Sequence, residues 1–193
     1  MRTYWFVEFA DFSNTFSPET TAILFTDNTL RLILNRRMNA DLKKVRDRTV
    51  PVDQYINDLE EPFKERYLTR KQTYQLQQEA IDHLRTHARN YFIVAFSASW
   101  CKDCAQIIPV LALIAERTEL EIRVFGGLKG DPLSPTSKWR IPPSPPEVIM
   151  FNVEKIPLVI VLDLNGVELG RIVESPKRCP TLEHEICEII RCH

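Results

Sequence analysis

Cys101 and Cys104 stand two residues apart in SASWCKDCAQIIP, residues 97–109, with Trp100 just before them and Pro109 after them. Thiols at this spacing serve disulfide exchange or half of a metal site, or they simply pack as small apolar groups. Exchange needs a thiolate. The run YFIVAFS, 91–97, reads as a buried strand, and CKDCAQIIPVLALIAERT reads as a helix. Cys101 then falls at a helix N-terminus, where free N–H groups and the helix dipole favour negative charge. Cys104, one turn further on, is placed to attack a mixed disulfide formed on Cys101. A metal site would need two more ligands, and the remaining cysteines, Cys179, Cys187 and Cys192, lie far along the chain. They read as structural, as do His184 and His193. His83 and His87, one turn apart, lack a third ligand nearby and read as a solvated face.

The elements that must position the pair follow from periodicity. Val52, Tyr55, Ile56, Leu59 and Phe63 lie on one helical face, and Pro51 suits a first turn. A second helix is predicted from Thr69, with Gln72 closing a capping box and Tyr74, Ala80, Ile81, Leu84 and Ala88 inward. In the CxxC helix, Ile107, Ile108, Leu111, Ile114 and Ala115 face inward, and Pro109 removes one backbone donor. EIRVFGG, 121–127, is the next strand. Prolines at 132, 135, 142, 143, 145 and 146 make 128–155 an extended loop with one helical turn near Ser137–Arg140. PPSPP within it reads as a rigid loop rather than a polyproline docking segment. Two strands flank Asn165-Gly166 as a hairpin, and the tail helix buries Leu182, Ile186, Ile189 and Ile190.

Upstream, TYWFVEFA reads as a strand, and TAILF and LRLIL flank TDNT as a hairpin. Residues 1–50 are read as an N-terminal extension, and 51–193 as one domain with a helical lead-in at 51–89. Met38 offers an alternative start. Lys43, Lys44, Arg46 and Arg48 alternate with Asp41 and Asp47 and read as solvated surface. The order of strands and helices gives an α/β class with a mixed central sheet flanked by helices.

The chain has 193 residues, 44% hydrophobic and 26% charged, with a formal net charge of −1. That balance gives no sign of a nucleic-acid or anionic-membrane partner, and none is expected; no apolar run is long enough to span a bilayer. Glu8 and Asp11 interrupt what a secretory signal would need. A cytoplasmic protein is expected. The five cysteines, an odd number, argue against a full disulfide framework, and a CxxC pair in a reducing compartment is more often catalytic or metal-binding.

FSASWCKDCAQIIPVLALIAE resembles the active-site segment of the thioredoxin superfamily, including Trp100 and Pro109, and KIPLVIVLDLNGVELGR resembles its second signature. The likeness spans about residues 88–175. A WCxDC active site behind a helical lead-in is similar to a thioredoxin-like subfamily. The resemblance implies a thioredoxin fold in which Pro157 is cis and, with Ile156, faces the cysteine pair and shapes the substrate groove. It implies a thiol–disulfide oxidoreductase with Cys101 as nucleophile and Cys104 as resolving thiol, needing no bound cofactor. Trp100 would shield the pair and contact substrate. Its partners would be disulfide-containing proteins or low-molecular-weight disulfides, and a reductase or thiol as electron donor. The alternative is a binding or scaffold module on the same fold.

Two departures stand out. Lys102 and Asp103 replace the Gly-Pro of thioredoxin between the cysteines. Ala95 stands where thioredoxin keeps a buried aspartate that assists proton transfer. Asp103 is the candidate replacement as proton acceptor. On charge alone Lys102 favours a Cys101 thiolate and Asp103 opposes it.

Overall fold

A computed structural model describes residues 39–131, 133–134, 138–139 and 143–192. The strand expected at 3–10 and the hairpin at 21–34 lie outside the described residues, as do residues 137 and 140 of the turn expected at 137–140.

The chain order is α1 (Leu42–Arg48), β1 (Val50–Pro51), α2 (Val52–Asn57), α3 (Phe63–Thr73), α4 (Gln78–His87), β2 (Tyr91–Phe96), α5 (Cys104–Thr118), β3 (Glu121–Phe125), α6 (Glu147–Met150), β4 (Leu158–Asp163), β5 (Glu168–Val173) and α7 (Leu182–Arg191). The strands form one mixed sheet in the order β1-β3-β2-β4-β5. β2 and β3 run parallel, joined by the crossover helix α5, and every other neighbouring pair is antiparallel. β2 is central and apolar throughout, as a strand covered on both faces must be.

Alternation along β2 assigns its two faces. Phe92 and Phe96 point one way. The Arg46 guanidinium of α1 lies over the Phe92 ring, while Phe96 stacks on Phe125 at 4.7 Å and meets Phe151 at 5.3 Å. Ile93, Ala95 and, one step beyond the strand, Ser97 share the opposite face. The most heavily buried helix, α5, packs against α2, α3, α4 and α7. Asn165-Gly166 closes the β4–β5 hairpin as expected, with Gly166 at φ 81°. A Cβ on Gly166 would lie 1.8 Å from the Ala40 carbonyl oxygen, so the turn admits only glycine.

Several elements depart from the periodicity reading. The helix expected through Phe63 stops at Asn57 and restarts at Phe63. Pro62 lacks the N–H a continuous helix would require, and the Glu61–Pro62 peptide is cis. The helix expected to start at Thr69 begins earlier, so Thr69 and Gln72 are interior residues of α3 and form no capping box. The break comes at Tyr74–Gln77 instead. There, Tyr74 Oη and the Gln77 N–H donate to the two oxygens of Glu183, a fully buried carboxylate on α7. The sequence between Asp41 and Pro51 is also structured. Asp41 caps α1 by accepting from the Lys43 and Lys44 N–H groups, and Val50–Pro51 adds an edge strand to β3. Of the basic run read as solvated, Arg46 pairs with Glu121 and Arg48 with Glu147. Among its described residues, the proline-rich loop holds one short helix, α6, beginning just after Pro146. The tail helix forms as expected, capped by Thr181, whose side chain accepts from the His184 N–H.

Candidate active site

The end of β2 delivers the chain into the site. Ser97 N–H continues the ladder to the Phe125 carbonyl, and Cys101 N–H donates to the Ala98 carbonyl at 3.1 Å, closing a tight turn. The Cys101 carbonyl then accepts from Ala105 N–H at 3.2 Å, so Cys101 sits on the lead-in turn and Cys104 is the first residue of α5.

The Cys104 N–H donates to Cys101 Sγ at 3.1 Å, and Cys101 Sγ lies 3.8 Å from the Ile156 carbonyl oxygen. Cys101 is 7% exposed and Cys104 fully buried. This asymmetry splits the two thiols. The Cys104 thiol and the backbone N–H groups of Cys104 and Asp103 stabilise the Cys101 thiolate. They outweigh burial and the opposing Asp103 charge, and bring its pKa down to about 7. Burial and the neighbouring Cys101 push Cys104 far up. The Ala98 N–H and the Ser97 hydroxyl oppose that rise by favouring its thiolate.

The residues singled out from the sequence meet here. The Ile156–Pro157 peptide is cis, and Ile156 faces Cys101 through its carbonyl. Trp100 is 49% exposed, donates from Nε1 to the Leu128 carbonyl at 3.2 Å and stacks on Trp139. Asp103 is exposed and makes no side-chain cap on α5. With Gln106, Ile107, Glu174 and Ser175 it lines an open cleft beside the cysteines. Its charge opposes the Cys101 thiolate, in the sense read from sequence.

Two sets of residues were not found by sequence reasoning. One is Trp139 in the proline-rich loop. It is 3% exposed, donates from Nε1 to the Glu154 carbonyl, and so fastens that loop beside Trp100. The other is a buried hydroxyl cluster. Tyr55 Oη donates to Ser97 Oγ at 3.1 Å, Tyr67 Oη donates to the Ala98 carbonyl at 3.1 Å, and the two rings meet edge-on. Tyr55 appeared in the sequence only as one member of an apolar stripe.

The other cysteines lie elsewhere. Cys187 is buried on α7 with its Sγ 3.4 Å from the Ala80 carbonyl, and burial raises its pKa to about 11. Among the described residues, no group of three or more His, Cys, Asp or Glu side chains is gathered as a metal site would require. Among the same residues, no helix is long and apolar enough to cross a membrane.

Residues 49–127 match the family model described as Thioredoxin, a stretch that includes Tyr55, Ser97 and both cysteines and stops short of Pro157. Together with the five-stranded mixed sheet flanked by helices, this match is consistent with a thioredoxin fold. Two solved structures share the fold. One is a protein of unknown function from Pseudomonas aeruginosa, 19% identical with a TM-score of 0.60 over 79% of this chain and 98% of its own. The other is an HIV epitope-scaffold, also 19% identical with a TM-score of 0.60, covering 80% of this chain and 99% of its own. No curated protein matches the chain.

Proposed function

We propose that this protein is a thiol–disulfide oxidoreductase that reduces protein or small-molecule disulfides through Cys101 and Cys104. One observation carries the reading: the Cys104 thiol and its N–H, the latter at 3.1 Å, both stabilise Cys101 Sγ as a thiolate and bring that thiol near neutral pKa, while burial keeps Cys104 protonated. A thiol whose pKa lies near ambient pH combines a high thiolate fraction with retained nucleophilicity.

The reaction balances without a bound cofactor. The Cys101 thiolate attacks one sulfur of the substrate disulfide, forming a mixed disulfide and releasing the other sulfur as a thiolate that takes a proton from water. Cys104 loses its proton and attacks Cys101 Sγ. The Cys101–Cys104 disulfide forms, and the second substrate sulfur leaves as a thiol. Two electrons pass from the dithiol to the substrate, and a reductase or low-molecular-weight thiol restores the pair. In this reading Trp100, Ile156 and Pro157 border the substrate, and Asp103 exchanges protons on the solvent side. A reducing compartment such as the cytoplasm sets the direction toward reduction.

Catalysed reduction of insulin disulfides by the wild type, abolished in Cys101→Ser, is the expected result. A Cys104→Ser variant should accumulate substrates as mixed disulfides on Cys101, identifiable by mass spectrometry. A second reading, a binding module with little redox activity, is favoured by the half-exposed Trp100 on the anchored Trp139. Absence of turnover with several reductants, alongside intact partner binding, would select it.

A further inference from the structure

Resting on the exchange reaction proposed above, we infer that Tyr55 and Ser97 form a buried hydroxyl relay that steadies the Cys104 thiolate during the resolving step. Ser97 is fully buried, and Tyr55 is 8% exposed. Both lie on the face of β2 that carries Ala95, with Ser97 two positions further along the chain. No ionisable side chain stands at Ala95 to meet the proton of a buried thiol. The hydroxyl pair occupies that side of the sheet instead.

The placement of the pair gives it its function. Tyr55 Oη and Ser97 Oγ are hydrogen-bonded at 3.1 Å, and Ala98, next to Ser97, accepts at its carbonyl from both Tyr67 Oη and the Cys101 N–H, so the hydroxyls lie against the CxxC turn. A Ser97 hydroxyl that turns its hydrogen toward Cys104 favours the ionised sulfur, the same sense in which the Ala98 N–H acts on it. Chains of this kind polarise one another inside a protein, where each bond is stronger than in water. The Tyr55 ring has a built seat. A Cβ on Gly126 would lie 2.7 Å from its Cε2, so glycine at the end of β3 lets the ring in. Tyr67 closes the seat from the other side, edge-on at 6.3 Å and held by the Ala98 carbonyl.

In the mixed disulfide, Cys104 must ionise before it attacks Cys101 Sγ. Its proton leaves for the departing substrate thiolate, directly or through water. The relay accepts no net proton; it donates hydrogen bonds to the sulfur anion while it exists. Tyr55 is therefore a positioning residue that acts through Ser97.

Stopped-flow reaction of the reduced, full-length protein with a chromogenic aryl disulfide separates the two steps. The first release of aryl thiolate reports attack by Cys101, and the second reports resolution by Cys104. Ser97→Ala and Tyr55→Phe should each slow the second release about tenfold at pH 7 and leave the first within about twofold. The midpoint of the second phase should move to higher pH. The double variant should lose less than the product of the two single losses, because both act on one chain of bonds. Thermal unfolding establishes that each variant folds. Should Ser97→Ala not fold, Tyr55→Phe, which removes a single oxygen, decides the matter. An unchanged second phase, or equal slowing of both phases, overturns the relay. A wild type that releases no aryl thiolate at all overturns the proposed reaction instead.

Discussion

Trp100 and Trp139 stack with ring centroids 6.1 Å apart and planes 29° from parallel, so the residue just before the CxxC pair rests on the proline-rich loop. Trp139 is anchored beneath by its Nε1 bond to the Glu154 carbonyl. An exposed aromatic over a buried one supplies contact area at small ordering cost. Trp100→Ala should therefore raise KM for a protein disulfide several-fold and leave kcat/KM for a small aryl disulfide nearly unchanged. Equal effects on both substrates would show that Trp100 serves the cysteines rather than the substrate.

Asp103 carries two separable predictions. Its carboxylate opposes the Cys101 thiolate, so Asp103→Asn should lower the Cys101 pKa and raise the rate of alkylation below neutral pH. If Asp103 also exchanges protons with the resolving thiol, the same variant slows the second step of disulfide exchange. Iodoacetamide trapping as a function of pH reads the first effect, and the second phase of aryl-disulfide reduction reads the other. An exchange rate and pH profile identical to wild type removes Asp103 from the mechanism.

Stability of the reduced protein should depend on pH through the same thiol. Cys101 is brought down from its ordinary 9.0 to about 7 by folding. Between those values the unfolded chain binds more protons than the folded one, so stability rises with pH, by at most about 1.4 kcal/mol per pH unit. Below pH 7 both states are protonated and the contribution vanishes. Cys104, held above its ordinary value, contributes in the opposite sense only above pH 9, where the unfolded thiol ionises and the folded one does not. Urea unfolding in excess reductant should show the rise for the wild type and a smaller slope for Cys101→Ser. Identical slopes for the two proteins would contradict the depressed Cys101 value.

The crossover helix ends on a left-handed residue that is not glycine. Glu119 follows α5 with φ 62° and donates its N–H to the Ala115 carbonyl. Glycine adopts that conformation without the steric cost that a Cβ brings. Glu119→Gly should stabilise by about 0.5–1 kcal/mol, a rise of roughly 1–4 °C in Tm. A fall in Tm would mean that the glutamate side chain makes a compensating contribution.

How much of this was legible in the sequence depends on how local each signal is. The CxxC helix, β2 and the Asn165-Gly166 hairpin each rest on neighbouring residues and stand where periodicity puts them. The break at Tyr74–Gln77 does not. It is made by Glu183, more than a hundred residues away, and a buried carboxylate on an amphipathic tail helix looks from sequence like any solvated glutamate. Edge strand β1 was hidden for a related reason: two residues carry no period, and Pro51 reads equally well as the first turn of a helix. In the site, Cys101, Cys104 and the Ile156-Pro157 step were visible as a motif. Trp139 and Tyr55 were not, because their roles come from tertiary placement, a lone aromatic among prolines and one tyrosine in an apolar stripe. Ser97 carries no signal of its own, since a small polar residue at a strand end has many ordinary uses.

The seat of Tyr55 bears on modularity. Its ring is delivered by α2, and the Tyr67 ring against it by α3, both from the helical lead-in upstream of β2. The smallest autonomous unit therefore cannot be trimmed to the stretch from β2 onward, although that stretch alone holds both cysteines and the cis-proline. Removing the lead-in would leave Cys101 in place and strip the floor from beneath Cys104. Transplanting the dithiol turn into another scaffold would carry the motif without the hydroxyls that stand under it.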